Sequence, residues 1–334
     1  MCVSKTYDVI ALGELLVDFA AGCKSGQGND LFEACPGGAP CNVLAMLSRY
    51  GKKTSFLGKV GTDMFGFMLR DALKEAGIDT SHLYMDDEVN TTLAFVTKQE
   101  NGDRAFSFYR NPGADMMLCA EEVDEEYLKE AEIFHFGTLS MTHEGVRKAT
   151  KKALDIAKSN HLLISFDPNL RPLLWKSQDE AREQMKYGFN YCDVLKIADN
   201  EIQFFTGKED YDEGVQILID EYNIPLIFLT LGETGSRAYY KGRKITADGF
   251  RVNTIETTGA GDTFMGSVLA FILDHGIESL TDEELKEMLV KANAAAAIVT
   301  TRKGALKAMP EIEEVDALLY NAGNRSINQP ERDL

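Results

Sequence analysis

The strongest constraint on this chain is a rhythm in which apolar runs of strand length alternate with stretches patterned as helices. The strand candidates are "YDVIALG", "KTSFLGKVG", "AEIFHFGTL", "HLLISFD", "DVLKIA" and "IPLIFLTLG". Between them run "PCNVLAMLSRYG" and "MFGFMLRDALKEAG", each stopped by a glycine, Gly51 or Gly77, that can take the left-handed C′ conformation. "EGVRKATKKALDIAKSN" keeps the alternation, and "GDTFMGSVLAFILDHG" and "TDEELKEMLVKANAAAAIVTT" are the longest helix candidates. Such alternation is the signature of βαβ units. The expected fold class is therefore α/β, a central and mostly parallel sheet flanked by helices in three layers, with residues 1–334 as one domain.

Two stretches break the rhythm. "TTLAFVTKQENGDRAFSFYR" alternates with period 2 on both sides of Asn101-Gly102, a strong hairpin signal. Together with residues about 14–36 it predicts a small sheet separate from the main layer, a subdomain built from about 14–36 and 88–114. "SRAYYKGRKITAD" predicts a second hairpin around Lys241-Gly242. No Pro/Ser-rich linker, low-complexity tract or internal repeat divides the chain.

Composition removes several function classes. With 334 residues, 44% of them hydrophobic and 26% charged, the chain reads as an ordinary globular protein with a large core. A formal charge of −18 argues against nucleic acid or an anionic membrane as the main partner, while leaving room for a local basic pocket. The six cysteines form no C-x-x-C pair, and the first residues show no signal-peptide pattern. No stretch approaches the roughly 20 apolar residues of a membrane span. A reduced, cytoplasmic setting is expected. The five histidines have no metal-ligand spacing, and no G-x-S-x-G elbow supports a hydrolase.

"ETTGAGDTFMGS", residues 256–267, carries the chemistry. Gly259, Ala260 and Gly261 stand where a loop becomes a helix, so backbone N–H groups and the helix dipole converge on one point suited to an anion. A carboxylate at Asp262 opposes simple phosphate binding. It fits a group that takes a proton from a hydroxyl while the amides hold charge developing on a transferring phosphoryl group. An Asp at a helix start is also a common cap, and both readings stand on this stretch alone. Neither G-x-x-x-x-G-K-[ST] nor G-x-G-x-x-G is present, so a phosphotransferase here belongs to another class.

"TTGAGDTF" resembles the C-terminal signature of the ribokinase-like, or PfkB-type, carbohydrate kinases, and the resemblance covers almost the whole chain, closest to the fructokinases. It implies Asp262 as catalytic base, residues 259–262 as the anion hole, and ATP and Mg2+ as co-substrate and metal. "GELLVDF" is similar to the segment whose acid, here Asp18, holds sugar hydroxyls. "PGGAPCN" is similar to the N-terminal Gly-Gly signature and implies Gly37, Gly38 and Asn42 as sugar contacts. The hairpin at 90–110 resembles the lid strands, with Phe95 and Phe108 over the sugar and Arg110 reaching a hydroxyl or carboxylate. "DPNLR" resembles a fructokinase motif that sets Asn169 and Arg171 near the sugar and phosphate.

"KIADNEIQFFTG" resembles the N-x-x-E segment, with Glu201 as the glutamate that organises the magnesium waters and Ala198 where the asparagine usually stands. "TLGETGS" resembles the nucleotide turn, with Thr230, Gly232 and Gly235, and "KANAAAAIVTTRKGA" the adenine cradle, with Asn293 and the backbone at Gly304. A monovalent cation such as K+ often sits beside the anion hole in relatives; Glu256 replaces the usual Asp, which leaves that site open. The resemblance also implies a homodimer meeting through the lid. The expected activity is phosphorylation of the primary hydroxyl of D-fructose to fructose 6-phosphate. The alternatives are a 2-keto-3-deoxygluconate kinase, with Arg110 as the cation for its carboxylate, a ribokinase-type activity, and a non-catalytic sugar-responsive regulatory protein.

Overall fold

The computed structural model describes residues 5–98 and 104–328. Its first half runs β1 (Tyr7–Leu12), β2 (Leu16–Lys24), β3 (Asp30–Gly37), α1 (Ala39–Arg49), β4 (Thr54–Gly61), α2 (Met64–Glu75), β5 (Ile78–Asp79), β6 (Leu83–Asp86), β7 (Leu93–Lys98) and β8 (Arg104–Tyr109). After these come α3 (Glu125–Lys129), β9 (Ala131–Gly137), α4 (Glu144–Ser159), β10 (Leu163–Asp167), α5 (Gln178–Phe189), β11 (Val194–Ala198), α6 (Asp199–Thr206) and α7 (Tyr211–Tyr222). The chain closes with β12 (Leu226–Thr230), β13 (Gly235–Tyr240), β14 (Arg243–Asp248), α8 (Ala260–His275), α9 (Asp282–Val299) and α10 (Ile312–Asn328).

The apolar runs become the larger sheet, ordered β14-β13-β12-β11-β10-β9-β1-β4-β5, with β6 also pairing β4. Pairing is parallel from β12 through β4 and on to β5 and β6, while the β12–β13 and β13–β14 pairs are antiparallel. Strands covered on both faces have no polar side to show, which explains why β4 is buried along its whole length. Alternation then decides which layer each side chain joins. Val9 and Ala11 of β1 pack in the core with Val43, Phe264 and Leu285 from α1, α8 and α9, while Ile10 and Leu12 join Val146, Met185 and Val215 from α4, α5 and α7. The three-layer expectation holds. The β13–β14 turn falls at Lys241-Gly242 as predicted, with φ of 48° and 76° at the two residues.

The smaller sheet has the order β3-β2-β7-β8. β2 pairs antiparallel with β3 and parallel with β7, and β7 pairs antiparallel with β8. The expected turn at Asn101-Gly102 lies outside the described residues. Period 2 corrects one expectation here. Phe95 stacks on Phe19 at 4.7 Å and meets Phe32 and Tyr109 edge-on, so it belongs to the outer face, while its neighbour Val96 and the facing Phe108 line the cleft beneath. Among the described residues no helix is long and apolar enough to cross a membrane.

Candidate active site

Parallel sheets place their clefts beyond the carboxyl ends of the strands. Here the ends of β1, β10 and β11 meet the start of α8 around a cleft of about 510 Å³, lined among others by Glu14, Asp18, Asn42, Asn169, Lys196 and Asp262. The small sheet contributes Leu16, Val96 and Phe108 to its wall.

α8 is buried from Asp262 to Ile272, which holds its N-terminus in place. Gly259 is its N-cap at φ 81°, a left-handed conformation that side chains resist, and a Cβ there would stand 2.8 Å from Ala305 Cβ. Ala260, Gly261 and Asp262 form the first turn, where N–H groups have no carbonyl within the helix to receive them. Ala260 N donates instead to Thr257 O at 3.3 Å, outside the helix, while Gly259, Gly261 and Asp262 line the cleft at this positive helix end.

Asp262 is 6% exposed and sits within this turn. Its Oδ2 accepts from Asn42 Nδ2 at 2.7 Å and its Oδ1 from Asn169 Nδ2 at 3.2 Å. Burial raises its pKa to about 6; the Asp167 charge adds to the rise, and the Asn42 hydrogen bond opposes it. Two further carboxyls share this polarity. Burial raises Asp18 to about 7 against the pull of Arg171, and raises Glu14 to about 7 although Ala39 N donates to its Oε1 at 2.8 Å.

The remaining expected residues divide by where the fold carries them. Gly38 opens α1 and Gly37 ends β3 beside Asp18, whose Oδ2 would lie 2.3 Å from a Cβ at Gly37. Arg171 lines the cleft. Arg110 does not: it is buried, pairs with Asp115 at 2.7 Å, and donates to Thr142 Oγ1 and Leu139 O. The expected ligand contact is corrected, because an acid five residues on has captured the guanidinium. Asn293 is corrected likewise. Its Oδ1 accepts from Ser236 and its Nδ2 donates to Ala247 O and Asp248 O, so its amide fastens α9 to β13 and β14.

Thr230 ends β12, Gly232 (φ 58°) and Gly235 (φ 114°) shape the turn after it, and Gly304 N donates to Glu256 Oε2 at 3.2 Å. None of these four lines the cleft. Glu256 also accepts from Thr258 Oγ1, so it ties the loop before α8 to the loop at Gly304. Glu201 does line the cleft, with Oε1 accepting from Leu170 N and Oε2 from Ala198 N. Among the described residues no three His, Cys, Asp or Glu side chains gather as a metal set.

Sequence reasoning missed Glu14, Asp167 and Lys196. Lys196 is 5% exposed in β11 and its Nζ lies 3.0 Å from Asp167 Oδ2. Its signal was present, since a lysine interrupts the apolar run "DVLKIA".

A family model described as pfkB family carbohydrate kinase matches residues 6–312. The chain is 40% identical over 314 residues to fructokinase-2 of Solanum lycopersicum, covering 93% of this chain and 95% of that protein. It superposes on the ATP-bound fructokinase of Xylella fastidiosa with a TM-score of 0.84 at 30% identity, covering 94% of this chain and 99% of the other. The same TM-score, identity and coverage describe its match to the fructokinase of Vibrio cholerae O395 solved with fructose, ADP and calcium ion.

Proposed function

The chain belongs to the pfkB family of carbohydrate kinases, and from that premise we propose that this phosphotransferase moves the γ-phosphoryl group of ATP onto the 6-hydroxyl of D-fructose. The observation that carries the reading is Asp262, buried in the first turn of α8 and held by two asparagine amides with its pKa near 6. A carboxyl with that value is ionised at neutral pH and still basic enough to accept a proton from an alcohol as the alcohol becomes a nucleophile.

In the proposed step the sugar hydroxyl loses its proton to Asp262 while its oxygen bonds to the γ-phosphorus. The bond from γ-phosphorus to the bridging oxygen breaks, and ADP leaves. The amides of the α8 first turn face the three phosphoryl oxygens, where charge concentrates in the transition state. Asp18 and Asn42 hold sugar hydroxyls, and the small sheet acts as a lid that keeps water from competing for the phosphoryl group. Thr230, Gly232, Gly235 and Gly304 are assigned to the nucleotide end. Each Glu201 oxygen already accepts one amide and keeps a second lone pair for water. That suits Mg2+ held through its waters, and Mg2+ would neutralise phosphate charge there. Two copies are proposed to pair through the outer lid face, which exposes Leu31, Phe32 and Tyr109.

ADP release by the purified protein with Mg-ATP against fructose, ribose, 2-keto-3-deoxygluconate, glucose and adenosine tests the reading. Fructose is expected to give the highest kcat/KM, and a higher value for another sugar overturns the assignment. Light scattering at micromolar concentration tests the pairing.

A further inference from the structure

Phosphoryl transfer brings several negative charges into a cleft that already holds Glu14, Asp18, Glu201 and Asp262. Among the described residues lining it, Lys196 and Arg171 are the cations, and only Lys196 is buried. Lys196 reaches the cleft from β11, one strand from β10, which supplies its partner Asp167. Its Nζ lies 3.1 and 3.0 Å from the two Asp167 oxygens. It also lies 2.8 Å from the point a Cβ on Gly261 would occupy, so the ammonium rests against the first turn of α8.

We infer that Lys196 is a further catalytic residue, whose ammonium donates a hydrogen bond to the phosphoryl group in transit while Asp167 holds the ammonium in place. Three features converge on this. An ammonium has three donors, and one carboxylate on one side leaves at least one free to aim elsewhere. The missing side chain at Gly261 lets the ammonium approach the same amides that receive the anion. A buried pair also keeps the cation fixed before the anion arrives, so no reorganisation is needed during transfer. Burial pulls the Lys196 pKa down, but Asp167, Glu201 and Asp262 outweigh it and the net direction is upward, which keeps the group charged. The inference rests on the kinase reading above and concerns its transition state rather than its sugar.

The test compares wild type, Lys196→Met, and the double variant Lys196→Met/Asp167→Asn, which replaces the ion pair by neutral groups so that neither partner of that pair is left as a lone buried charge. The double variant is expected to fold and to lose about 10²- to 10³-fold in kcat, with fructose KM and ADP affinity changed less than about threefold. Turnover within about threefold of wild type in either variant overturns the inference. Calorimetry of Mg-ADP binding with and without aluminium fluoride, a mimic of the group in transit, gives a readout that needs no turnover. Fluoride is expected to tighten binding to wild type at least tenfold and to leave the variants unchanged; equal tightening in all three proteins overturns the inference. A wild type silent on fructose that still shows this difference removes the fructose reading alone.

Discussion

Asn42 Nδ2 donates to Asp262 Oδ2 across 2.7 Å, joining positions 220 residues apart, while Asn42 Oδ1 is buried without a partner among the described residues. One amide therefore steadies the proposed base and still has an acceptor to offer a sugar hydroxyl. Asn42→Ala should lower fructose kcat/KM by about 10- to 100-fold, the range of a lost hydrogen bond to a charged group. Because that bond opposes the rise in the Asp262 pKa, the acid limb of the rate profile should also move to higher pH. A drop in rate with an unmoved limb would separate sugar binding from tuning of the base.

The same carboxyl, as the proposed base, should set the pH dependence of turnover. Asp262 accepts a proton only when ionised, so kcat/KM should fall about tenfold per pH unit below about 6 and level off above it. Asp262→Asn should cost about 10²- to 10⁴-fold in kcat and abolish that limb. Steady-state rates from pH 5 to 8 check both.

The contribution of Glu14 to stability should run the other way with pH. Burial raises Glu14 from 4.5 to about 7, so the folded chain holds this proton more tightly than the unfolded one. Its contribution is present at low pH and fades as pH rises through about 7. At 1.36 kcal/mol per unit the loss approaches about 3 kcal/mol. Glu14→Gln keeps an acceptor for Ala39 N without the charge, so it should be more stable than wild type at pH 8 by about 1–3 kcal/mol and nearly equal at pH 5. Urea unfolding at the two pH values decides it.

Arg110 should behave as a structural residue. Its side chain is 3% exposed and paired with Asp115 at 1%. Arg110→Ala leaves that carboxylate buried alone and should cost about 3–5 kcal/mol. Urea unfolding should show the loss, with fructose KM close to wild type in whatever fraction stays folded.

Gly259→Ala strains α8 where the proposed anion hole begins. A φ of 81° and a Cβ 2.8 Å from Ala305 Cβ both oppose the methyl group. A loss of about 1–3 kcal/mol is expected, with kcat falling more than sugar affinity. Unfolding and steady-state rates on one preparation check this.

The layers were legible because two-sided burial writes itself as apolar runs, and "YDVIALG" or "IPLIFLTLG" has little other use. The Asp262 turn was legible because small residues before a helix restrict what the loop can do. Partners were not. Nothing in "FYRNPGAD" shows that Asp115 captures Arg110, or that Asn293 spends its amide on β13 and β14, since both depend on how the chain closes. Phe95 was misread because alternation says which residues share a face but not which face meets the cleft. Lys196 shows the reverse case, a polar intruder in a buried strand whose meaning emerges only beside Asp167 and Gly261.

The distance along the chain between Asn42 and Asp262 has a consequence during synthesis. Strands β1 and β4 can pair, and α1 can dock, long before α8 leaves the ribosome, and domains generally take shape from the N-terminus as they emerge. The proposed sugar side would be built early, but the proposed proton acceptor, Asp262, arrives only after three quarters of the protein has been made. A chain that stops short of α8 lacks both the proposed base and one of the helices that cover the sheet, so on this reading unfinished copies would not spend nucleotide.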